Sequence, residues 1–346
     1  MKKKKVALIF GGKTPEHEVS VLSAKSVIQN IDKEKYNVIP VGVSKNGIWQ
    51  TPEYTKEIID KDLEIVENEV SETNIAESLI SFLNKEVDVV FPLIHGPYGE
   101  DGKLQGFFDL IDIPYVGTGV LSSAVGMDKA FMKKIFSYHN INQGNFIILT
   151  EEKYNFLSIK EIINRICQNI YFPCFIKPAN MGSSIGITRV DKPIELNQAF
   201  ERAFQFDDKI IIEEYIEGRE IECSVLGNNK IQVSLPGEII SKNKYYDYEA
   251  KYKDEKTELK IPASLNNHTI NRIQNMAEEV FKAIEGKGFA RVDFFLTESE
   301  KNKIYVNEIN TIPGFTRYSM YPKLWEESGL SYPDLIDRLI KLSFEK

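Results

Sequence analysis

At 346 residues the chain is too long for one ordinary core and implies two or three domains, and 42% apolar with 27% charged residues is the composition of a soluble globular protein. A net charge of −8 argues against nucleic acid or an anionic membrane as the main partner, so a phosphate ligand has to be held by particular lysines. No apolar run is long enough to span a bilayer, and although MKKKK resembles the start of a signal peptide, the short run VALIF breaks at two glycines.

Lys5 to Phe10 reads as an apolar strand, and GGKTPEHEVS turns from it into a helix that continues through Val21, Ala24, Val27 and Ile28. The turn lacks the third glycine of a dinucleotide fingerprint, so no nicotinamide site is expected. Tyr36 to Val43 is a second strand, 44 to 75 is polar and weak in pattern, and Val87 to Ile94 is a third strand running into HGPYGEDG. This is an α/β pattern of the doubly wound kind, in which ligands bind beyond the carboxyl ends of the strands, where Glu16 and His95 both fall. Ile113 to Gly117 reads as the last strand of this unit. A domain boundary follows at 118 to 121, and a helix starting near Ser122 carries Lys129 in its first two turns.

Tyr171 to Lys177 is a strand joined to ITRV by the small-residue loop PANMGSSIG. A Walker loop opens a helix, whereas here Lys177 precedes the loop and a strand follows it. Gly182, Ser183, Ser184 and Gly186 can still bring amides and hydroxyls to a phosphate beside the Lys177 charge, although a plain hairpin turn has the same composition. Pro193 to Phe206 is helical. Lys209 to Ile216 is a strand whose isoleucines give way to EEYIEG, so Glu213, Tyr215, Ile216 and Glu220 are candidates to meet a base and ribose. Glu220 to Ile240 forms antiparallel strands. Residues 241 to 260 form a Tyr- and Lys-rich loop of lid length, with Lys251 and Tyr252 its candidate working residues. A helix at 268 to 285 precedes a hairpin, Ala290 to Asn310, and Pro333 to Phe344 closes the chain as an amphipathic helix. Cys167, Cys174 and Cys223 lack metal-site or CxxC spacing and read as buried, reduced thiols in a cytoplasm.

The hairpin organises the rest. Alternation with period two puts Arg291 and Asp293 on one face of its first strand, and Tyr305 to Asn310, read the same way, projects Glu308 and Asn310 together. Two carboxylates and an amide suit a hard divalent cation that keeps positions open for water and phosphate. A solvated hairpin face would alternate too. Only eight of the 43 basic residues are Arg, however, and one of them sits inside this apolar strand. The closing NTIPGFT adds Pro313 and Gly314, which stiffen the backbone and can leave an amide free for a ligand.

Taken together, PEHEVS, LIHGPYGEDGKLQG, GMDKAFMK, FIKPANMGSSIG, IIEEYIEGREIECSVL, YYDYEAKY, ARVDFF and NEINTIPGFT resemble, in order and spacing, the D-alanine–D-alanine ligases of the ATP-grasp superfamily. The resemblance spans nearly the whole chain. It implies an ATP-grasp architecture with an N-terminal domain at 1–120, a central subdomain at 121–212 and a C-terminal subdomain at 213–346 carrying the lid loop 241–260. It implies ATP as co-substrate, held at its phosphates by Lys129, Lys177 and the loop Gly182, Ser183 and Ser184, with Glu213, Tyr215, Ile216 and Glu220 at adenine and ribose and Lys251 at the γ-phosphate. Asp293, Glu308 and Asn310 would bind two magnesium ions, manganese being the alternative. Glu16 would meet the first D-alanine's ammonium group and His95 would lie near its carboxylate. Ser319 would hold the second D-alanine, and Arg291 with the Gly314 amide would meet the oxyanion. Tyr252 would tie the lid to Ser183 and Glu16. A cytoplasmic homodimer acting on D-alanine, without nucleic acid or membrane, completes the expectation.

Overall fold

The computed structural model describes residues 2–61, 75–240, 258–298 and 302–345. Strands β1 (Lys4–Gly11), β2 (Tyr36–Val43) and β3 (Val89–Pro92) form a parallel sheet in the order β2-β1-β3. Successive side chains of a strand point to opposite faces. Val6, Leu8 and Phe10 accordingly pack with Ala24 and Val27 of helix His17–Asn30, while Ala7 and Ile9 pack with Leu83 and Phe108 of helices Ile75–Glu86 and Lys103–Leu110. The sheet is therefore wound on both faces.

Three local expectations are corrected here. Ile113 to Gly117 makes only one bridge, Val90 to Tyr115, so it is not a strand. The weak-pattern region contains helix Pro52–Asp60, capped by Thr51, with Thr55 and Ile58 as its buried residues, too few to print a period on the sequence. The helix near Ser122 is two helices, Val120–Met127 and Lys129–Tyr138. Asp128 ends the first and caps the second, accepting from the amides of Ala130 and Phe131 at 3.0 Å each, so Lys129 is a first-turn residue.

Strands β4 (Phe146–Thr150), β5 (Cys174–Pro178), β6 (Thr188–Val190) and β7 (Lys209–Glu214) form an antiparallel sheet ordered β4-β7-β5-β6. Helices Ile159–Asn169 and Leu196–Ala203 cover it. Ile162 and Ile166 turn inward from the first of these, which leaves the neighbouring Cys167 exposed. Cys174 and Cys223 are buried, and all three thiols are unpaired with one another.

A third sheet, also antiparallel, contains β8 (Arg219–Gly227), β9 (Gln232–Val233), β10 (Gly237–Ile240), β11 (Glu258–Lys260), β12 (Gly288–Leu296) and β13 (Ile304–Asn310). Its path runs β11-β10-β8-β12-β13, with β9 beside β8. Helices Lys129–Tyr138 and Asn267–Ala283 share its core. The last helix, Tyr332–Leu342, returns to the first sheet, where Leu335, Ile336, Leu339 and Ile340 join the cluster of Val6, Leu8 and Phe10. Asp337 fixes that docking by accepting from Tyr36 at 3.0 Å and from Lys35 at 3.2 Å. Among the described residues no helix is long and apolar enough to cross a membrane.

Candidate active site

The second and third sheets face each other across a cavity of about 610 Å³. Lys129, Lys177, Gly182, Ser183, Ser184, Glu213, Tyr215, Ile216 and Glu220 all line it, contributed by β5, the loop after it, β7, β8 and a helix N-terminus. The volume suits a nucleotide-sized ligand. Lys251 and Tyr252 lie outside the described residues.

The basic end of the cavity is built around Glu213. Its carboxylate is 2.5 Å from Lys177 Nζ and 2.8 Å from Lys133 Nζ, and both partners are nearly sequestered from solvent. Glu213 therefore orders two lysines, a role not expected of a residue that the resemblance puts at adenine and ribose. Lys133 is a residue the sequence did not single out, since a lysine one turn after Lys129 on an amphipathic helix looks like solvated charge. Burial, reinforced by the charge of Lys177, brings its pKa down to about 7. Lys129 Nζ donates to Met181 O at 2.9 Å and stands 3.2 Å from Glu308. Beside the lysines, the Phe175 ring lies 5.9 Å from Lys177 Nζ and against Tyr215, which has the Arg189 guanidinium 5.0 Å from its ring centroid. The Tyr215 amide donates to Pro173 O, so the ring, and not this amide, is what Tyr215 offers to a base.

The floor is the hairpin. Asp293 pairs in register with Glu308 on β13 and with Glu222 on β8, giving a row of three acids across adjacent strands, with Arg291 opposite Asn310 two pairs further on. Arg291 is bidentate to Asp293 at 2.7 and 2.8 Å and 3.0 Å from Glu222. Burial works against its charge, but the Asp293 and Glu222 carboxylates outweigh it and raise its pKa. The register shifts after Asp293, leaving Asn307 as an extra residue. This bulge corrects the strict alternation expected for Tyr305 to Asn310. Val306 enters the core while Glu308 and Asn310, of the same parity, stay half-buried at the site. Glu222 was missed because it lies within a strand of buried residues.

Among the described residues no three His, Cys, Asp or Glu side chains converge on a metal position. The donor set nevertheless fits a hard cation in part. Asp293 and Glu308 face each other, and Asn310 Oδ1 is a buried acceptor with no hydrogen-bond donor.

A second group lies toward the parallel sheet. Ser183, held at φ +49°, donates its hydroxyl to Glu16, and Thr14 donates to His95 O at 2.8 Å. His95 commits both ring nitrogens to the scaffold, Nδ1 to Ile312 O at 2.9 Å and Nε2 to Ser23 Oγ at 3.0 Å. Burial opposes protonation of the ring, but Glu100, 3.8 Å away, and Glu16 raise its pKa overall. Gly314 sits beside Ser319, whose hydroxyl accepts from the Thr316 amide at 3.0 Å. A Cβ at 314 would come within 2.8 Å of Ser319 Oγ and displace that hydroxyl from the Thr316 amide, so glycine suits this approach.

Comparison with known proteins gives this geometry a context. The family model described as D-ala D-ala ligase N-terminus matches residues 5–118, and that described as D-ala D-ala ligase C-terminus matches 135–341. A D-alanine–D-alanine ligase of Halothermothrix orenii is 54% identical over 348 residues, covering 100% of this chain and 99% of that protein. One from Geobacillus kaustophilus is 45% identical, covering 99% and 95%. Among solved structures, the D-alanine-D-alanine ligase from Coxiella burnetii aligns with a TM-score of 0.82 at 33% identity, covering 100% of this chain and 95% of that one. The VanG D-Ala:D-Ser ligase from Enterococcus faecalis aligns with a TM-score of 0.83 at 37% identity, covering 99% and 100%.

Proposed function

The chain belongs to the D-alanine–D-alanine ligase family, and from that premise we propose that the cavity between its two antiparallel sheets holds ATP while the Glu16–Ser183 side receives D-alanine. It is an ATP-dependent ligase that joins two D-alanine molecules for peptidoglycan synthesis. The observation that carries the site assignment is the lysine cluster: Lys129, Lys133 and Lys177 line a cavity that also carries the Phe175 and Tyr215 rings. That combination matches a nucleotide with its phosphates among the lysines and its base near Phe175, Tyr215 and Ile216.

A carboxylate is a poor acyl donor, so the first D-alanine is phosphorylated at its carboxylate, giving an acyl phosphate and ADP. The lysines lower the cost of gathering negative charge on the transferring phosphoryl group. The amine of the second D-alanine then attacks. A C–N bond forms, the amine gives up a proton, and phosphate leaves as its C–O bond breaks. Glu16, oriented by Ser183, holds the first ammonium group. Arg291 and the Gly314 amide face the oxyanion, and Ser319 holds the second carboxylate. Asp293, Glu308 and Asn310 would hold divalent metal, taken here as two magnesium ions, which supplies charge neutralisation to the phosphates when bound. Because the acyl phosphate hydrolyses readily, the site needs a lid that excludes water, the role given to the loop expected at 241–260; Glu258–Lys260 is instead strand β11, and 241–257 lie outside the described residues.

The three-part division at 120 and 212, a cytoplasmic location and a homodimer belong to the same reading. Unpaired cysteines support the compartment. The apolar surface around Phe107, Leu110 and Val120, with Leu110 87% exposed, supports an interface that light scattering would test.

The deciding experiment measures ADP and phosphate release with magnesium and D-alanine, L-alanine, D-alanine plus D-serine or D-lactate, or no amino acid, and identifies products by mass. D-alanyl-D-alanine formed with D-alanine and not with L-alanine is the expected result. ATP bound but unconsumed in every arm would overturn the catalytic reading.

A further inference from the structure

We propose that Ser23, acting with His95, is a positioning residue for acyl transfer: the pair clamps the Ile312–Phe315 segment so that the Gly314 amide is aimed at the tetrahedral oxyanion. The proposal rests on the reading of Gly314 as an oxyanion donor and adds a cause for its placement.

The clamp has two jaws. His95 Nδ1 meets Ile312 O at 2.9 Å, and the Phe315 amide donates to Ser23 Oγ at 3.2 Å, so the backbone is held on both sides of Pro313 and Gly314. The jaws are joined, because Ser23 Oγ is 3.0 Å from His95 Nε2. One assignment of protons satisfies all three contacts. The His95 Nδ1–H donates to Ile312 O, the Ser23 hydroxyl donates to the bare Nε2, and the Ser23 oxygen accepts from Phe315. Such a chain polarises in one direction and is sealed from water, since Ser23 is fully buried and His95 is 3% exposed. A third hold falls on the same segment, where Tyr332 donates to Phe315 O at 2.5 Å. Among the described residues none accepts from the Gly314 amide, which is left between fixed neighbours. An oxyanion donor works by being fixed before charge develops, so loosening its supports costs rate and not substrate binding.

The clamp also explains why His95 need not touch substrate. It spans 217 residues to reach Ile312, and Ser23 spans 292 to reach Phe315, so helix His17–Asn30 and the loop after β3 set the geometry of a loop at the far end of the chain.

The test uses Ser23→Ala, which deletes the shared hydroxyl, and Ser23→Cys, which keeps the volume but bonds weakly. Two readouts separate positioning from general damage. One is steady-state dipeptide formation. The other is D-alanine-dependent scrambling of the bridging β,γ oxygen of labelled ATP, which reports reversible phosphoryl transfer before the amine attacks. Dipeptide formation should fall by about ten- to a hundredfold in Ser23→Ala and less in Ser23→Cys, with scrambling and KM for ATP within about twofold of the parent. A parallel loss of both half-reactions, tracking thermal stability, would make the pair merely structural and overturn the proposal, as would unchanged dipeptide formation. Should Ser23→Ala not fold, Ser23→Cys carries the same comparison. If the parent enzyme itself forms no D-alanyl-D-alanine, the ligase reading has failed first and the clamp has no oxyanion to serve.

Discussion

Lys133 lies 2.8 Å from the carboxylate of Glu213, both of them buried, in a cavity wall already carrying Lys177 on that same carboxylate. One acid thus serves two cations, and the site holds surplus positive charge when Lys133 is protonated. With its pKa lowered to about 7, Lys133 is charged on the acid side of neutrality and neutral on the alkaline side. ATP affinity should therefore weaken as pH rises through about 7, beyond what the titration of ATP itself causes. Calorimetry on the parent and on Lys133→Met, which should bind less tightly at low pH and lack the extra slope, checks this.

Arg291 neutralises Asp293 and Glu222 in the resting arrangement and is the cationic candidate for the oxyanion. Arg291→Ala should leave ATP binding largely intact and slow dipeptide formation by about two to three powers of ten. Its removal also leaves two buried acids without their counter-charge, so the thermal midpoint should drop in the same variant. Turnover per folded molecule, measured well below that midpoint, separates the two effects. Parent-like turnover would remove Arg291 from the mechanism.

Asn310 offers the opposite combination. Its buried Oδ1 has no donor, a state that costs stability unless a cation meets it. In EDTA, Asn310→Leu should be as stable as the parent or about 1 kcal/mol more stable. Its magnesium half-saturation should rise by about tenfold or more. Denaturant titration without metal, paired with a magnesium titration of ADP release, tests both signs. A variant that is destabilised yet unchanged in magnesium demand would exclude Asn310 as a ligand.

The docking of the last helix should be acid-sensitive. Burial tends to raise the Asp337 pKa, but hydrogen bonds from Lys341, Tyr36 and Lys35 outweigh it and hold the value below that of an ordinary aspartate. A lowered folded pKa means stability that is present above the unfolded value of 3.8 and lost as pH falls through the folded one. Asp337→Asn should therefore cost about 1–3 kcal/mol at pH 7 and far less near pH 3, as read by urea unfolding at the two pH values.

How much of this was legible depended on range along the chain. β2 was bounded at Tyr36 and Val43 from its apolar run, and the alternation of β12 put Arg291 and Asp293 together, because strand periodicity is a local signal. The glycine-rich and lysine-bearing motifs announced themselves by composition. Lys133, Glu222 and Ser23 did not. Each has ordinary neighbours and acquires meaning only from a partner brought by the fold, Glu213, Arg291 and Phe315 respectively. The Asn307 bulge was hidden for a related reason. Two-residue periodicity assumes an unbroken ladder, and a bulge is set by pairing with the opposite strand. His95 was found, but its partners Ile312 and Ser23 were not, since both are brought to it by the fold.

The return of helix Tyr332–Leu342 to the first sheet has a consequence for biosynthesis. Val6, Leu8 and Phe10 leave the ribosome long before Leu335, Ile336, Leu339 and Ile340, which cover the same face. At cellular elongation rates of about 5–20 residues per second, that greasy surface waits roughly 20–60 s for its cover. The nascent chain is thus a natural client for holding chaperones throughout translation. A ribosome stalled before the final helix would release a product whose opening strands are sticky, and quality control would recognise it by that surface.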